Sequence, residues 1–216
     1  MADRTVELMI LGTRTFAEEV ADLASAVRGV HVAGFVENMD RDRCGRPLGG
    51  LPVHWIDEIG PLISTHLGVC ALSTTLRSRF VRQAAEIGMR FATLIHPSSV
   101  ISPHAQIGEG TVIGPGCVIA SHTRLGPHVI VNRGVLIGHH TTIGPFCSLQ
   151  PGANIAGACA VGEATYIGMG AIVIDHVSIG ARSVVGAGAV VVRDVPDHVQ
   201  VLGMPARIVK ENTPGK

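Results

Sequence analysis

The strongest constraint on this sequence is a period of six residues in its second half. From Ile95 to Val191 every sixth residue is Ile, Leu or Val, which makes seventeen aliphatic positions without an interruption. Four residues after each of them comes a small or β-branched residue, from Ser99 to Val195. A strand alternates with a period of two and an α-helix turns every 3.6 residues, so neither produces this pattern. The pattern predicts short strands joined by sharp turns, three of which close one 18-residue coil of a left-handed parallel β-helix.

A second column, which plays no part in defining the period, supports this interpretation. Glycines recur at steps of 18 residues, which is typical of a corner that requires positive φ or close stacking of coils; they are Gly116, Gly134, Gly152, Gly170 and Gly188. Aromatic residues make up only 3% of the chain, as expected for a narrow solenoid with an aliphatic core. The five cysteines are an odd number without close pairs, and Cys117, Cys147 and Cys159 fall at small inward positions. We therefore expect no disulfide framework.

The first 94 residues have a different pattern and predict a small Rossmann-like βα domain. Strands are expected at 6–11, 30–36 and 69–72, with helices after Thr15 and around Phe80; Thr15 and Glu18 form a candidate capping box. A loop rich in charge and glycine is expected at 37–50. The predicted division is a βα domain at 1–94, the β-helix at 95–195 and a C-terminal tail at 196–216. The βα domain and the tail would cover the two open ends of the solenoid.

The loop after the first strand is the candidate ligand site of the βα domain. It contains the single glycine Gly12, so it lacks the spacing that binds a dinucleotide tightly. A helix N-terminus beside Arg14 can still hold a phosphate group. A plain strand-to-helix turn with a solvated arginine explains the same residues.

Charge and hydropathy exclude some classes of partner. Seventeen basic residues balance seventeen acidic ones, so no global field favours nucleic acid or an anionic membrane. The first residues show no signal segment, and no apolar run is long enough to span a bilayer. We expect a cytoplasmic protein.

Several short motifs together resemble a known enzyme family. They are Phe35-Val36-Glu37-Asn38, Ile95-His96-Pro97, Ile137-Gly138-His139-His140 and Gly203-Met204-Pro205-Ala206-Arg207. In this order they resemble the bacterial nucleotide-amino-sugar N-acetyltransferases of the bacillosamine and perosamine type, which are related to the sialic acid O-acetyltransferases. The resemblance covers nearly the whole chain.

This resemblance implies a homotrimer that uses acetyl-CoA as co-substrate, acts on a nucleotide-linked amino sugar and needs no metal. His139 matches the general base that deprotonates the sugar amine, and Gly157 matches a backbone N–H donor to the acyl carbonyl. His140 stands where the family usually has an acidic residue, and Ser148 matches a second family histidine. The remaining matches are to cofactor-binding positions, at Met169, Gly170 and Ala187, and to substrate-binding positions, at Thr13, Arg14, Glu37 and Asn38.

Other interpretations stay open at this point. His104, His122 and His140 are 18 residues apart and should stack on one corner, with His176 two coils further on. Such a column suits a metal ladder, although stacked coils are too far apart for three rungs to converge on one ion. A sugar O-acetyltransferase is the alternative within the fold. A metal-dependent hydratase and a non-catalytic trimeric scaffold are alternatives from other classes.

Overall fold

The computed structural model describes residues 5–211 and 214–216. The N-terminal residues 1–4, where the absence of a signal segment is expected, and positions 212–213 of the predicted tail lie outside the described residues.

An α/β part precedes the coils. Its elements are β1 Val6–Leu11, α1 Thr15–Ser25, β2 Val30–Glu37, β3 Val53–Trp55, β4 His66–Cys70 and α2 Ser78–Glu86, with 3₁₀ helices at Arg41–Gly45, Ile56–Glu58, Gly60–Leu62 and Thr75–Arg77. The four strands are parallel and ordered β3-β2-β1-β4. The chain leaves β1 toward β2 on one side and later returns to β4 on the other. The carboxyl end of β1, on either side of which the chain continues, is therefore at the topological switch point, where such sheets bind ligands.

Three details of this part differ from the sequence expectation. The strand expected at 69–72 begins earlier, at His66, and ends at Cys70. The short strand β3, which pairs with β2 after the charged loop, was not predicted because three residues are too few for a visible alternation. The predicted capping box is wrong: the N-cap of α1 is Arg14, whose side chain has no acceptor, and no side-chain hydrogen bond caps the helix.

The second half forms the predicted β-helix, with two-residue strands on three faces. The eight-stranded face contains β5 Leu94–Ile95, β8 Val112–Ile113, β11 Ile130–Val131, β14 Ser148–Leu149, β17 Tyr166–Ile167 and β20 Val184–Val185, followed by β22 Gln200–Leu202 and β23 Arg207–Lys210. The six-stranded face contains β6 Val100–Ile101, β9 Val118–Ile119, β12 Leu136–Ile137, β15 Asn154–Ile155, β18 Ile172–Val173 and β21 Val190–Val191. The five-stranded face contains β7 Gln106–Ile107, β10 Arg124–Leu125, β13 Thr142–Ile143, β16 Ala160–Val161 and β19 Ser178–Ile179.

The last coil is shorter than the repeat predicts. Ile179 pairs with Val195, and Val185 pairs with Val201, so both steps are 16 residues instead of 18. Val195 therefore occupies a strand position and not the small inward position that a strict period assigns to it. Parallel stacking continues to Leu202, past the expected boundary at 195, and the antiparallel strand β23 then covers the edge.

The small inward residues have a role beyond their size. Where the inward residue is Ser, Thr or Cys, its side chain donates to a carbonyl of the next coil, 15 residues later, except at Ser183, whose acceptor Pro196 is 13 residues away in the shortened last coil. The pairs are Ser99–Gly114, Thr111–Gly126, Cys117–Asn132, Thr123–Gly138, Thr141–Ala156, Cys147–Gly162, Cys159–Ile174 and Thr165–Gly180. Apart from the half-buried Ser99 these residues are buried, and each side-chain donor has an acceptor, as a packed core requires.

The three corners differ in residue type but share a left-handed backbone. The glycine corner follows the eight-stranded face and has φ of +62° to +70° at Gly116, Gly134, Gly152, Gly170 and Gly188. The histidine corner follows the six-stranded face and has φ of 56° to 62° at His122, His140, Ala158 and His176. The third corner carries Gly110, His128, Phe146, Ala164, Arg182 and His198, also left-handed.

The α/β part packs on the eight-stranded face and the third corner. The outward residues of that face are fully buried beneath it, namely Leu94, Val112, Ile130 and Ser148. Val100 and Leu136, their counterparts on the six-stranded face, are 65% and 41% exposed. One face of the prism is thus covered within the chain and another carries exposed apolar residues.

Candidate functional site

The histidine corner brings the predicted base and its predicted partner together. His139 and His140 are consecutive corner residues after β12, and both are exposed. Their Nδ1 atoms are 3.1 Å apart, and their rings are nearly perpendicular at 82°. The His139 carbonyl accepts a hydrogen bond from the Ala158 N–H of the next coil, and the His140 N–H donates to the Ser121 carbonyl of the preceding coil, so the backbone of this corner is held on both sides.

Gly157 lies against the His139 ring, one coil further along. A Cβ on Gly157 would be 2.7 Å from both Cε1 and Nε2 of His139. The coils can approach this closely because Gly138 also lacks a side chain: a Cβ there would be 2.5 Å from the Gly157 nitrogen. The predicted base and the predicted N–H donor are therefore neighbours in space.

The Gly157 N–H is not used by the coil. It stands at the third position of its hexad, two residues after the inward aliphatic, and no described residue accepts a hydrogen bond from it. Proline, which has no N–H, occupies the same position at Pro97, Pro103, Pro115, Pro127, Pro145 and Pro151. The backbone donor at Gly157 is thus available to a ligand.

The predicted cofactor positions lie on a different corner of the same chain. Met169, 57% exposed, precedes Gly170 at the glycine corner, and Ala187 stands one coil beyond Met169. Met169 and Ala187 border a cavity of about 420 Å³ together with Tyr166 and Lys210. Within one chain this glycine corner is not next to His139, because the glycine corner follows the eight-stranded face whereas the histidine corner follows the six-stranded face.

The predicted acceptor residues meet at the carboxyl ends of β1 and β2, but they do different things. The Thr13 hydroxyl donates to the Glu37 carboxylate, which also accepts the backbone N–H groups of Asn38, Met39 and Asp40. Burial alone would raise the pKa of Glu37, but these hydrogen bonds outweigh it and hold the pKa below its ordinary value. Glu37 is therefore negatively charged, and its hydrogen bonds hold the loop that follows β2.

Arg14 and Asn38 differ from this pair. Arg14 is exposed at the start of α1, and the Asn38 side chain donates to Gln83 of α2.

Two arginines in this region were missed from the sequence. A cavity of about 410 Å³ is bordered by Thr13, Arg43 and Arg46, and the Arg43 guanidinium donates to the Thr13 carbonyl at 3.1 Å. Both arginines lie at 37–50, where the sequence predicts only a loop rich in charge and glycine. The number of arginines among the glycines was the available signal, but nothing in the sequence indicated that the 3₁₀ helix Arg41–Gly45 packs against β2 and β3 and places Arg43 beside Thr13.

A third missed residue, Arg77, joins the two parts of the molecule. Its guanidinium is buried and donates to the carbonyls of Thr74, His128 and Cys147 and to the Ser148 hydroxyl, at 2.7 to 3.2 Å. Burial lowers the pKa of Arg77 to about 10. Ser148 in turn donates to the Ser73 carbonyl, so the position that matches a family histidine belongs to this junction and is wholly buried.

His128 packs beside this junction at the third corner. Its ring lies between Phe91, at 4.7 Å, and Phe146, at 5.2 Å. Its Nδ1 has no hydrogen-bond partner among the residues that the structure describes. Burial, and secondly the charge of Arg77, lower the pKa of His128 to about 4. The residue is therefore kept neutral in the folded protein.

The histidine column stacks as predicted. The His104 and His122 ring centroids are 5.3 Å apart, and those of His122 and His140 are 4.9 Å apart. His176, beyond Ala158, lies 3.7 Å from Asp175. Within residues 5–211 and 214–216, no group of three or more His, Cys, Asp or Glu side chains is arranged to hold a metal ion. In the same ranges no helix is long and apolar enough to cross a bilayer.

Comparison with known proteins agrees with this architecture. Residues 91–121 match the family described as bacterial transferase hexapeptide (six repeats). No curated protein sequence matches the chain.

Solved structures match over almost the whole length. One is a histidine-to-asparagine variant of perosamine N-acetyltransferase from Caulobacter crescentus, in complex with CoA and GDP-perosamine; it is 34% identical, with a TM-score of 0.87, covering 95% of this chain and 97% of that one. The acetyltransferase domain of PglB from Neisseria gonorrhoeae, in complex with acetyl coenzyme A, is 29% identical, with a TM-score of 0.88 and coverages of 95% and 100%. WeeI from Acinetobacter baumannii is 26% identical, with a TM-score of 0.83 and the same coverages.

The identity and coverage of the Caulobacter match, together with the coil geometry, decide the relationship. The chain belongs to the acetyl-CoA-dependent N-acetyltransferases of nucleotide-linked amino sugars, a family of hexapeptide-repeat β-helix enzymes.

Proposed function

We propose that this enzyme acetylates the amine of a nucleoside-diphosphate-linked amino sugar by direct attack, with His139 as general base and the Gly157 N–H as donor to the acyl oxygen. The observation that carries the proposal is the contact of the His139 ring with Gly157. A base and an unused backbone donor lie side by side on an exposed corner. Each is what one half of an acyl transfer requires.

In the proposed reaction, His139 carries the transferred proton and the Gly157 N–H stabilises the negative charge on the acyl oxygen. The sugar nitrogen attacks the thioester carbonyl carbon, the C–N bond forms, and Nε2 of His139 accepts the proton that the nitrogen loses. The carbonyl oxygen becomes an oxyanion, which the Gly157 N–H stabilises by a hydrogen bond. When the C–S bond breaks, the CoA thiolate takes the proton from His139. The base is thereby restored without a covalent enzyme intermediate.

The acceptor's diphosphate is proposed to bind at the carboxyl ends of β1 and β2. The N-terminus of α1 offers unpaired backbone N–H groups there, and Arg14, Arg43 and Arg46 surround the same loop. Backbone donors and guanidinium groups are the usual ligands of phosphate oxygens. The anionic Glu37 supports this site indirectly, because it holds the loop that follows β2.

A homotrimer is proposed because one face of the β-helix carries a stripe of exposed apolar residues. On the six-stranded face the outward residues Val100, Val118, Leu136 and Ile172 are 40% to 65% exposed and form an apolar stripe at 18-residue steps, which Asn154 interrupts between Leu136 and Ile172. The five-stranded face presents Gln106, Arg124, Thr142, Ala160 and Ser178 at the corresponding positions. An apolar stripe of this kind is a typical subunit interface. Assembly around a threefold axis would bring the histidine corner of one subunit toward a neighbour that supplies the cofactor corner with Met169, Gly170 and Ala187.

Replacement of His139 tests the assignment. We expect His139→Ala to lower kcat by about 10² to 10⁴, because that is the usual contribution of a positioned general base. Release of CoA thiol from acetyl-CoA, with a nucleotide-linked amino sugar as acceptor, measures turnover, and calorimetry measures acetyl-CoA binding. His176→Ala is the matched control on the same corner. Near-normal turnover of His139→Ala would contradict the proposal.

A further inference from the structure

We propose that His140 is a positioning residue that fixes the tautomer of His139, and that the stacked rings of His122 and His104 fix His140 in turn. The inference rests on the proposed base role of His139. It assigns a task to the column of histidines, which the reaction itself does not use.

The hydrogen bond between the two rings is the first observation. Two Nδ1 atoms 3.1 Å apart need one donor and one acceptor. If His139 donates, its proton is on Nδ1 and its Nε2 keeps the free lone pair that a base requires. If His139 accepts, its neutral ring carries the proton on Nε2 and cannot take another from the amine. Catalysis therefore requires His140 to be the acceptor, with its own proton on Nε2.

The stack explains how the His140 ring is held in place. Its centroid lies 4.9 Å from that of His122, which lies 5.3 Å from that of His104. The backbone adds a second restraint, because His122 and His140 both have left-handed φ, near 60°. The His140 N–H is also bound to the Ser121 carbonyl of the preceding coil. The stack and the backbone therefore fix the position and the plane of the His140 ring, and the hydrogen bond to His139 selects the orientation in which Nδ1 faces it.

No carboxylate competes for this role in the part of the chain that the structure describes. None is hydrogen-bonded or ion-paired with His139 or His140 there, and the nearest acid along the corner, Asp175, pairs with His176. The imidazole of His140 is therefore the group that can hold the Nδ1 proton of His139. Orientation of a catalytic imidazole by a second group is a general feature of such bases.

Substitutions at position 140 separate positioning from packing. His140→Ala removes the acceptor, and alanine is tolerated at this corner since Ala158 has φ of 56°. His140→Asp returns an acceptor at the δ position that cannot donate. We expect kcat to fall about 3- to 12-fold in His140→Ala, which corresponds to about 0.6–1.5 kcal/mol at 1.36 kcal/mol per tenfold change, as for one hydrogen bond. We expect His140→Asp to stay within about twofold of the parent enzyme.

The stack is tested one coil earlier. His122→Ala should lower kcat by about two- to threefold through the loosened His140 ring, with the KM for acetyl-CoA unchanged. His176→Ala, at the same corner but separated from His140 by Ala158, is the control and should behave like the parent. If His140→Asp is as impaired as His140→Ala, the acceptor role is wrong.

The tautomer itself can be measured without turnover. Two-bond ¹H–¹⁵N spectra of the intact protein with labelled histidine should show His139 protonated on Nδ1, and His140→Ala should shift this population toward Nε2. An unchanged His139 tautomer would overturn the inference. A failure of His139 as base is seen only in kcat, so the two claims can fail separately.

Discussion

The contact between Gly157 and His139 allows a single methyl group to be used as a probe of the site. In Gly157→Ala the new Cβ would lie 2.7 Å from Cε1 and Nε2 of His139. Non-bonded carbon atoms rest at about 3.5–4.0 Å, so the ring must move by roughly 1 Å. A misplacement of about 1 Å costs on the order of 10² in rate. We therefore expect kcat to fall about 100-fold while the N–H at residue 157 is retained.

The coil should accept this methyl group without loss of stability. Ala181 and Ala187 stand at the same hexad position, and Gly157 does not have a left-handed φ. The displaced partner is an exposed ring that can rotate into solvent. We expect the free energy of unfolding of Gly157→Ala to stay within about 0.5 kcal/mol of the parent, as is usual for surface substitutions.

A double-mutant cycle gives the decisive assay. Initial rates of CoA release are measured for the parent, Gly157→Ala, His139→Ala and the double variant under saturating acetyl-CoA. If the methyl group acts by displacing His139, the double variant should be no slower than His139→Ala, because the affected ring is already absent. A further loss of about 100-fold in the double variant, or full activity of Gly157→Ala, would refute the reasoning.

Three further outcomes follow from the structure. Leu136→Glu, on the apolar stripe, should prevent assembly of the proposed trimer in light scattering, whereas Thr142→Glu, at the corresponding outward position of the polar face, should leave the assembly unchanged. Burial and the charge of Arg77 lower the pKa of His128 from 6.5 to about 4, so keeping this ring neutral costs nothing above about pH 6.5 and lowers the free energy of unfolding by about 3 kcal/mol as the pH falls to 4. In urea titrations, the free energy of unfolding of His128→Phe should lack this pH-dependent loss. Arg14→Ala should raise the KM for the nucleotide sugar about tenfold and leave that for acetyl-CoA unchanged, and an unchanged acceptor KM would remove Arg14 from the site.

The β-helix could be predicted from the sequence because its constraint is local and repeated. Each aliphatic residue packs inward at the same place in every hexad, so one rule accounts for seventeen positions. The same rule put His139 beside Gly157 and stacked His104, His122 and His140. This rule is wrong where the coil changes length. The step from Ile179 to Val195 is two residues shorter than 18, and a strict period of six does not predict such a change.

The parts that escaped prediction depend on contacts between distant segments. Among the residues that the structure describes, Arg77 has no partner of opposite charge. Apart from the Thr74 carbonyl, its acceptors are backbone carbonyls more than 50 residues away and the Ser148 hydroxyl. Backbone acceptors leave no trace in residue type, so the junction was invisible in the sequence. Glu37 was assigned to a substrate-binding position by its match to the family. The sequence did not indicate that its carboxylate accepts hydrogen bonds from the Thr13 hydroxyl and from three backbone N–H groups.

At the histidine corner the left-handed backbone lowers stability, because the residues that the reaction needs there are not glycine. A non-glycine residue at φ near 60° is less favourable than glycine by roughly 1 kcal/mol, and the glycine corner of the same chain avoids this cost at five successive coils. His122 and His140 occupy such positions with bulky rings. Glycine at either position should therefore raise the melting temperature while it weakens the reaction. Glycine substitutions made to stabilise this enzyme would therefore have to leave the histidine corner unchanged. Single-glycine variants at each corner, compared by melting temperature and by rate, would show which positions combine higher stability with lower activity.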